Sequence, residues 1–99
     1  MTPAEIAVQR EIDEEILHYV RELATLAPIR VESVWNYLRR VRRRELDEAR
    51  VRDRLDYLVD RGLLRPRSEW MAGEGNLTVY EISAQGRDVL DGALPWPGR

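Results

Sequence analysis

The sequence predicts a mainly α domain with one small β-hairpin: a three-helix core, an N-terminal helix extension and a C-terminal helix. Three observations carry this. Val51, Leu55, Leu58 and Val59 fall at i, i+4, i+7 and i+8, one stripe of a 3.6-residue helix. Two strand-like runs flank the turn cluster Gly73, Glu74, Gly75 and Asn76. From Ala4 to about Leu26 nothing breaks a helix.

In chain order, Thr2 is the first cap, Pro3 takes the first helical position and Glu5 closes a capping box. Val8, Ile12, Ile16, Tyr19, Val20, Leu23 and Leu26 share one face of this helix. Ile6, Leu17 and Ala24 lie about 100° round, on a second and thinner face. Two readings of that second face stay open. It is a dimer seam, or it widens a single buried stripe. His18 projects from neither face, has no second ligand or nucleophile near it in sequence, and is assigned no role.

Ala27 and Pro28 end the first helix, and a second is expected from about Glu32 to Arg43 with Val34, Trp35, Leu38 and Val41 inward. Trp35 reads as a core anchor. Residues 39–44 hold five arginines in six positions. Leu38 and Val51 are thirteen positions apart, so the second helix is extended or its turn is long. The third helix, residues 46–61, is capped by Asp47 and stopped by Gly62. Leu63 and Leu64 carry the chain inward, and Pro66 forbids a return to helix. A strand over residues 64–71 returns as 77–83, with Thr78, Tyr80 and Ile82 on one face. Ser83 caps a last helix whose apolar side is Val89, Leu90 and Leu94. Residues 1–94 form one domain; the tail 95–99, broken by two prolines, is loose unless Trp96 docks.

Composition narrows the function. There is no cysteine, hence no disulfide framework and no thiolate metal site. No apolar run approaches the ~18 residues that span a bilayer, and no signal-peptide core follows the N-terminus. These absences point to a cytoplasmic protein. There is no His pair, no HExxH and no phosphate-binding glycine loop, so neither catalysis, metal nor cofactor is expected. The net charge of −2 is unevenly spread: residues 1–29 carry −4, 30–67 carry +5 and 68–99 carry −3. A positive middle in a negative chain is the asymmetry of a nucleic-acid binder. All 16 basic residues are arginine, which suits bidentate contacts with phosphate and guanine; a GC-rich genome gives the same bias.

A helix ending in Arg61-Gly62-Leu63-Leu64 and running into basic, extended residues resembles the recognition helix and wing of a winged helix-turn-helix domain. The return strand and next helix, with Tyr80, Ile82, Ser83 and Gly86, are similar to those of small bacterial PadR, ArsR and MarR regulators. In such domains a small first strand sits where Ile29, Arg30 and Val31 stand here. The resemblance covers nearly the whole chain. It implies a double-stranded DNA partner with the third helix in the major groove. Arg50, Arg52 and Arg54 would then reach guanine edges or phosphates. Arg42, Arg43 and Arg44 before that helix, and Arg65 and Arg67 at the wing base, would hold the backbone. It also implies a two-fold homodimer, for which Ile6, Leu17 and Ala24 are the candidate seam. The extra length those families use for effector sites is lacking, and no small-molecule effector is evident.

One feature of the third helix opposes this. Ala49, Asp53, Asp56 and Asp60 form its most exposed line, beside Arg50, Arg54, Tyr57 and Arg61. Two functions therefore stand: a sequence-specific DNA-binding transcriptional regulator, or a winged-helix protein–protein module such as a phage or mobile-element accessory factor. The arginine run favours the first. The acidic line and Glu74 at the wing tip favour the second.

Overall fold

The computed structural model describes residues 2–41 and 46–97. Its elements run α1 (Pro3–Leu23), α2 (Val31–Val41), α3 (Glu48–Asp60), β1 (Leu64–Met71), β2 (Gly75–Ile82) and α4 (Ala84–Leu90), the order expected. The local signals act as read. The Thr2 hydroxyl accepts from the Glu5 backbone N–H at 3.2 Å within a capping box. Asp47 and Ser83 cap α3 and α4 in the same way. Gly62 turns out of α3 at φ 79°, and the Leu63 N–H closes back on the Leu58 carbonyl.

α1 ends at Leu23, earlier than expected, and Leu26 stands 78% exposed. The expected small strand at residues 29–31 does not form. Val31 already belongs to α2, and the Arg30 carbonyl accepts from Val34. What remains of pairing there is one bond, from Tyr80 N–H to the Ile29 carbonyl at 2.8 Å. Val41 and Leu94, expected inward, are exposed.

The core is built from Ile12, Ile16 and Val20 of α1, Val34 and Leu38 of α2, and Val51, Leu55 and Leu58 of α3. Leu17 is fully buried with them, which removes it from any dimer seam. The reason is packing: α1 touches α2, α3, α4 and β2, so its buried stripe is wide enough to include both apolar faces at that point. Ile6 and Ala24 are half-buried. The tail docks: Trp96 packs against the core, with the Arg10 guanidinium 5.1 Å from its ring centre.

β1 and β2 pair antiparallel, from Leu64 opposite Ile82 to Met71 opposite Gly75. β2 begins two residues before the expected Leu77, since Gly75 and Asn76 also pair. Strand alternation gives the hairpin two faces. Leu64, Pro66, Ser68 and Trp70 share one with Ile82, Tyr80, Thr78 and Asn76. Arg65, Arg67 and Glu69 share the other with Glu81, Val79 and Leu77. Leu64, Tyr80 and Ile82 bury the base of the first face in the core, whereas Pro66, Ser68, Trp70, Asn76 and Thr78 further out on it are exposed, and Val79 is the buried residue of the second face.

Candidate nucleic-acid interface

α3 lies against the core through Val51, Leu55 and Leu58, which leaves Ala49, Arg50, Arg52, Asp53, Asp56 and Asp60 exposed. Its N-terminal turn is held by Asp47, whose carboxylate accepts from the Arg50 N–H at 2.8 Å. Each arginine expected at DNA has a distinct surrounding. The Arg50 side chain makes no ion pair among the described residues and points from the first turn of α3. Arg52 pairs along the helix with Glu48 at 3.1 Å.

Arg54 is withdrawn from the surface, which corrects the expectation that it reaches a base or phosphate. Its Nε donates to Asp13 Oδ1 at 2.9 Å and its Nη2 to Oδ2 at 2.6 Å. The two side chains are 15% and 5% exposed. The guanidinium also lies 4.3 Å from the Tyr57 ring centre. Burial pushes the Asp13 carboxyl above its ordinary value, against the pull of the Arg54 hydrogen bond and charge. The hydrogen bond to Asp13 raises Arg54 in turn. This pair fastens α3 to α1. Beside it opens a cleft of about 340 Å³, lined also by Ile6, Arg10, Tyr57 and Trp96.

The wing arginines stand on the acid-bearing face of the hairpin. Arg67 lies 3.3 Å from Glu69 and 3.8 Å from Glu81, while Arg65 is exposed and makes no ion pair among the described residues. Arg42, Arg43 and Arg44 lie outside the described residues. Just before them, Arg40 is exposed and Arg39 stacks 4.4 Å from the Trp35 ring centre. Sequence reasoning missed Arg30, which binds Glu74 at 3.0 Å and ties the hairpin turn to the start of α2. Nothing local signals that contact, since the partners are 44 residues apart. The acidic line is as exposed as expected: Asp53, Asp56 and Asp60 all face outward. Among the described residues no cluster of His, Asp and Glu converges as metal ligands.

No protein-family model matches the sequence, and no curated protein does. Solved structures match. A protein of Thermoplasma acidophilum assigned as a transcriptional regulator, TA0346, is similar at a TM-score of 0.73 and 19% identity, over 87% of this chain and 79% of its own. PadR of Bacillus subtilis, solved in complex with operator DNA, is similar at 0.67 and 15% identity, over 91% of this chain and 49% of its own. The chain therefore spans about half the length of PadR. At these identities the likeness lies in the fold alone, a winged helix of four helices and a two-stranded antiparallel hairpin.

Proposed function

We propose that this winged-helix domain is a sequence-specific DNA-binding transcriptional regulator that sets the N-terminal half of α3 in the major groove. The observation that carries the reading is the fold shared over 91% of the chain with PadR, a protein solved on operator DNA. The distribution of charge along α3 supports it. Arg50 has no ion pair among the described residues at the entering end, whereas Asp60 is the last residue of α3, at the far end. Arg50 reads a guanine edge or clasps a phosphate, and Arg52 follows once Glu48 releases it. Arg40, Arg42, Arg43, Arg44 and Arg65 supply backbone charge.

A homodimer on paired half-sites goes with this mode of binding, with Ile6 and Ala24 left as seam residues. No helix among the described residues is long and apolar enough to cross a membrane. A cytoplasmic location goes with the proposed DNA partner.

The test is a gel shift against random genomic fragments across a salt series. Four to six phosphate contacts give a slope of log K on log salt of about −4 to −5 per chain. No shift at about 50 mM salt and micromolar protein overturns the reading. The exposed line Asp53, Asp56 and Asp60 favours the second function, a protein–protein module that offers this helix face to a basic partner.

A further inference from the structure

α3 carries the arginines Arg50, Arg52 and Arg54 and the carboxylates Glu48, Asp53, Asp56 and Asp60, and the fold does not offer them equally to the outside. Arg50, Arg52, Asp53, Asp56 and Asp60 are exposed. Arg54 is turned inward onto α1, with its side chain 15% exposed. Its place on the helix does not explain this. Arg54 stands one turn beyond Arg50 on the same side of α3. What turns it inward is Asp13, whose two carboxylate oxygens accept from Nε and Nη2.

The hold depends on that carboxylate. Arg54 also borders the cleft of about 340 Å³ that opens beside the pair, so its guanidinium is not sealed in. A guanidinium that loses its carboxylate is costly to enclose, and the cleft gives it a way to solvent. Turned out, it would join the side of α3 that carries Arg50.

We propose that Asp13 tunes how strongly α3 holds DNA of any sequence, by keeping Arg54 off the phosphates. The inference rests on the regulator reading and deepens it. A phosphate contact is supplied equally by every sequence, whereas a guanine edge is not. With Arg54 withdrawn, sequence-independent attraction at α3 is weaker, and base contacts of Arg50 count for more of the total. Asp13 touches no DNA and acts through Arg54, as a positioning residue.

Wild type, Asp13→Asn, Arg54→Met and the double variant are compared on a random-sequence duplex of about 30 base pairs over a salt series, with circular dichroism to establish folding. Asp13→Asn should steepen the slope of log K on log salt by about 0.9, one added phosphate contact, and tighten binding at low salt. Arg54→Met alone should leave the slope unchanged, and in the double variant the gain should vanish. Glu22→Gln, which removes an exposed carboxylate from the same helix as Asp13, should not change the slope. A pair that only fastens α1 to α3 predicts the reverse for Asp13→Asn, weaker binding with no steeper slope, and that result in a folded variant overturns the inference. So does a slope flattened by about 0.9 in Arg54→Met, which would mean that Arg54 already meets a phosphate. A further measurement needs no variant to fold. The Arg54 Nε–H resonance of the wild-type chain should stay in place when duplex is added, and its displacement overturns the inference as well. If the wild-type chain binds no duplex, the regulator reading fails and takes this one with it.

Discussion

The Trp35 indole Nε1 donates a 2.9 Å hydrogen bond to the carbonyl oxygen of Leu46, joining α2 to the residue that precedes the cap of α3. Trp35 is therefore a brace between two helices as well as a half-buried packing group, and Arg39 covers its ring. Trp35→Phe keeps most of the packing and leaves the Leu46 carbonyl without its donor. The expected cost is about 1–3 kcal/mol, read from urea denaturation.

The pair Asp13 and Arg54 has an asymmetric mutational signature. Asp13→Ala leaves the guanidinium enclosed without its carboxylate and should cost about 3–5 kcal/mol. Replacing both residues, as Asp13→Leu with Arg54→Met, should recover most of that loss or exceed wild-type stability, since both desolvation costs vanish. Thermal melts of the single and double variants check this. A double variant as unstable as Asp13→Ala would contradict it.

The same pair sets a pH dependence of defined sign. The folded-state value of Asp13 is raised above 3.8, so the folded chain takes up its proton at a higher pH than the unfolded chain. The ionised carboxylate therefore weighs against the fold above the raised value. That weight is relieved as pH falls from the raised value towards 3.8, opposite to the usual acid loss from a depressed carboxylate. Urea midpoints of wild type and Asp13→Asn between about pH 3 and 7 should show the wild type gaining on the variant as pH falls.

Gly86 sits in the first turn of α4, against Leu63 in the segment that leaves α3. A Cβ there would run into the Leu63 carbonyl oxygen and the Ile82 side chain. That carbonyl cannot step aside, because it accepts the Ser83 N–H at 3.1 Å while the Ser83 hydroxyl holds the Gly62 carbonyl at 2.6 Å. Gly86→Ala should destabilise the domain by about 1–3 kcal/mol despite its better helix propensity, measured by denaturant unfolding.

On DNA, Arg50→Ala should flatten the salt slope by about 1 if Arg50 meets a phosphate. If it reads a guanine, the preferred site should lose about 1–3 kcal/mol more than random duplex does. Asp53→Asn with Asp56→Asn should tighten non-specific binding by removing repulsion near the backbone. Equal affinity of both variants and wild type in filter binding would place α3 off the DNA.

The element order, the three caps, the Gly62 stop and the hairpin were legible in the sequence because each depends on neighbours in the chain. Helical stripes, capping side chains and left-handed glycines act over a few residues. The strand that failed at Ile29 needed a partner, and one bond to Tyr80 does not make a ladder. Which arginines remain available was decided by tertiary structure alone. Arg50 and Arg54 sit one turn apart on α3 with the same local signature, yet the Arg54 side chain meets Asp13 from 41 residues away and the Arg50 side chain has no ion pair among the described residues. Leu17 belongs to the core because other elements close over it, which its place on a second helical face does not reveal. Periodicity states which side chains share a side; only the packed neighbours set how wide the buried side is and which charges it takes out of solvent.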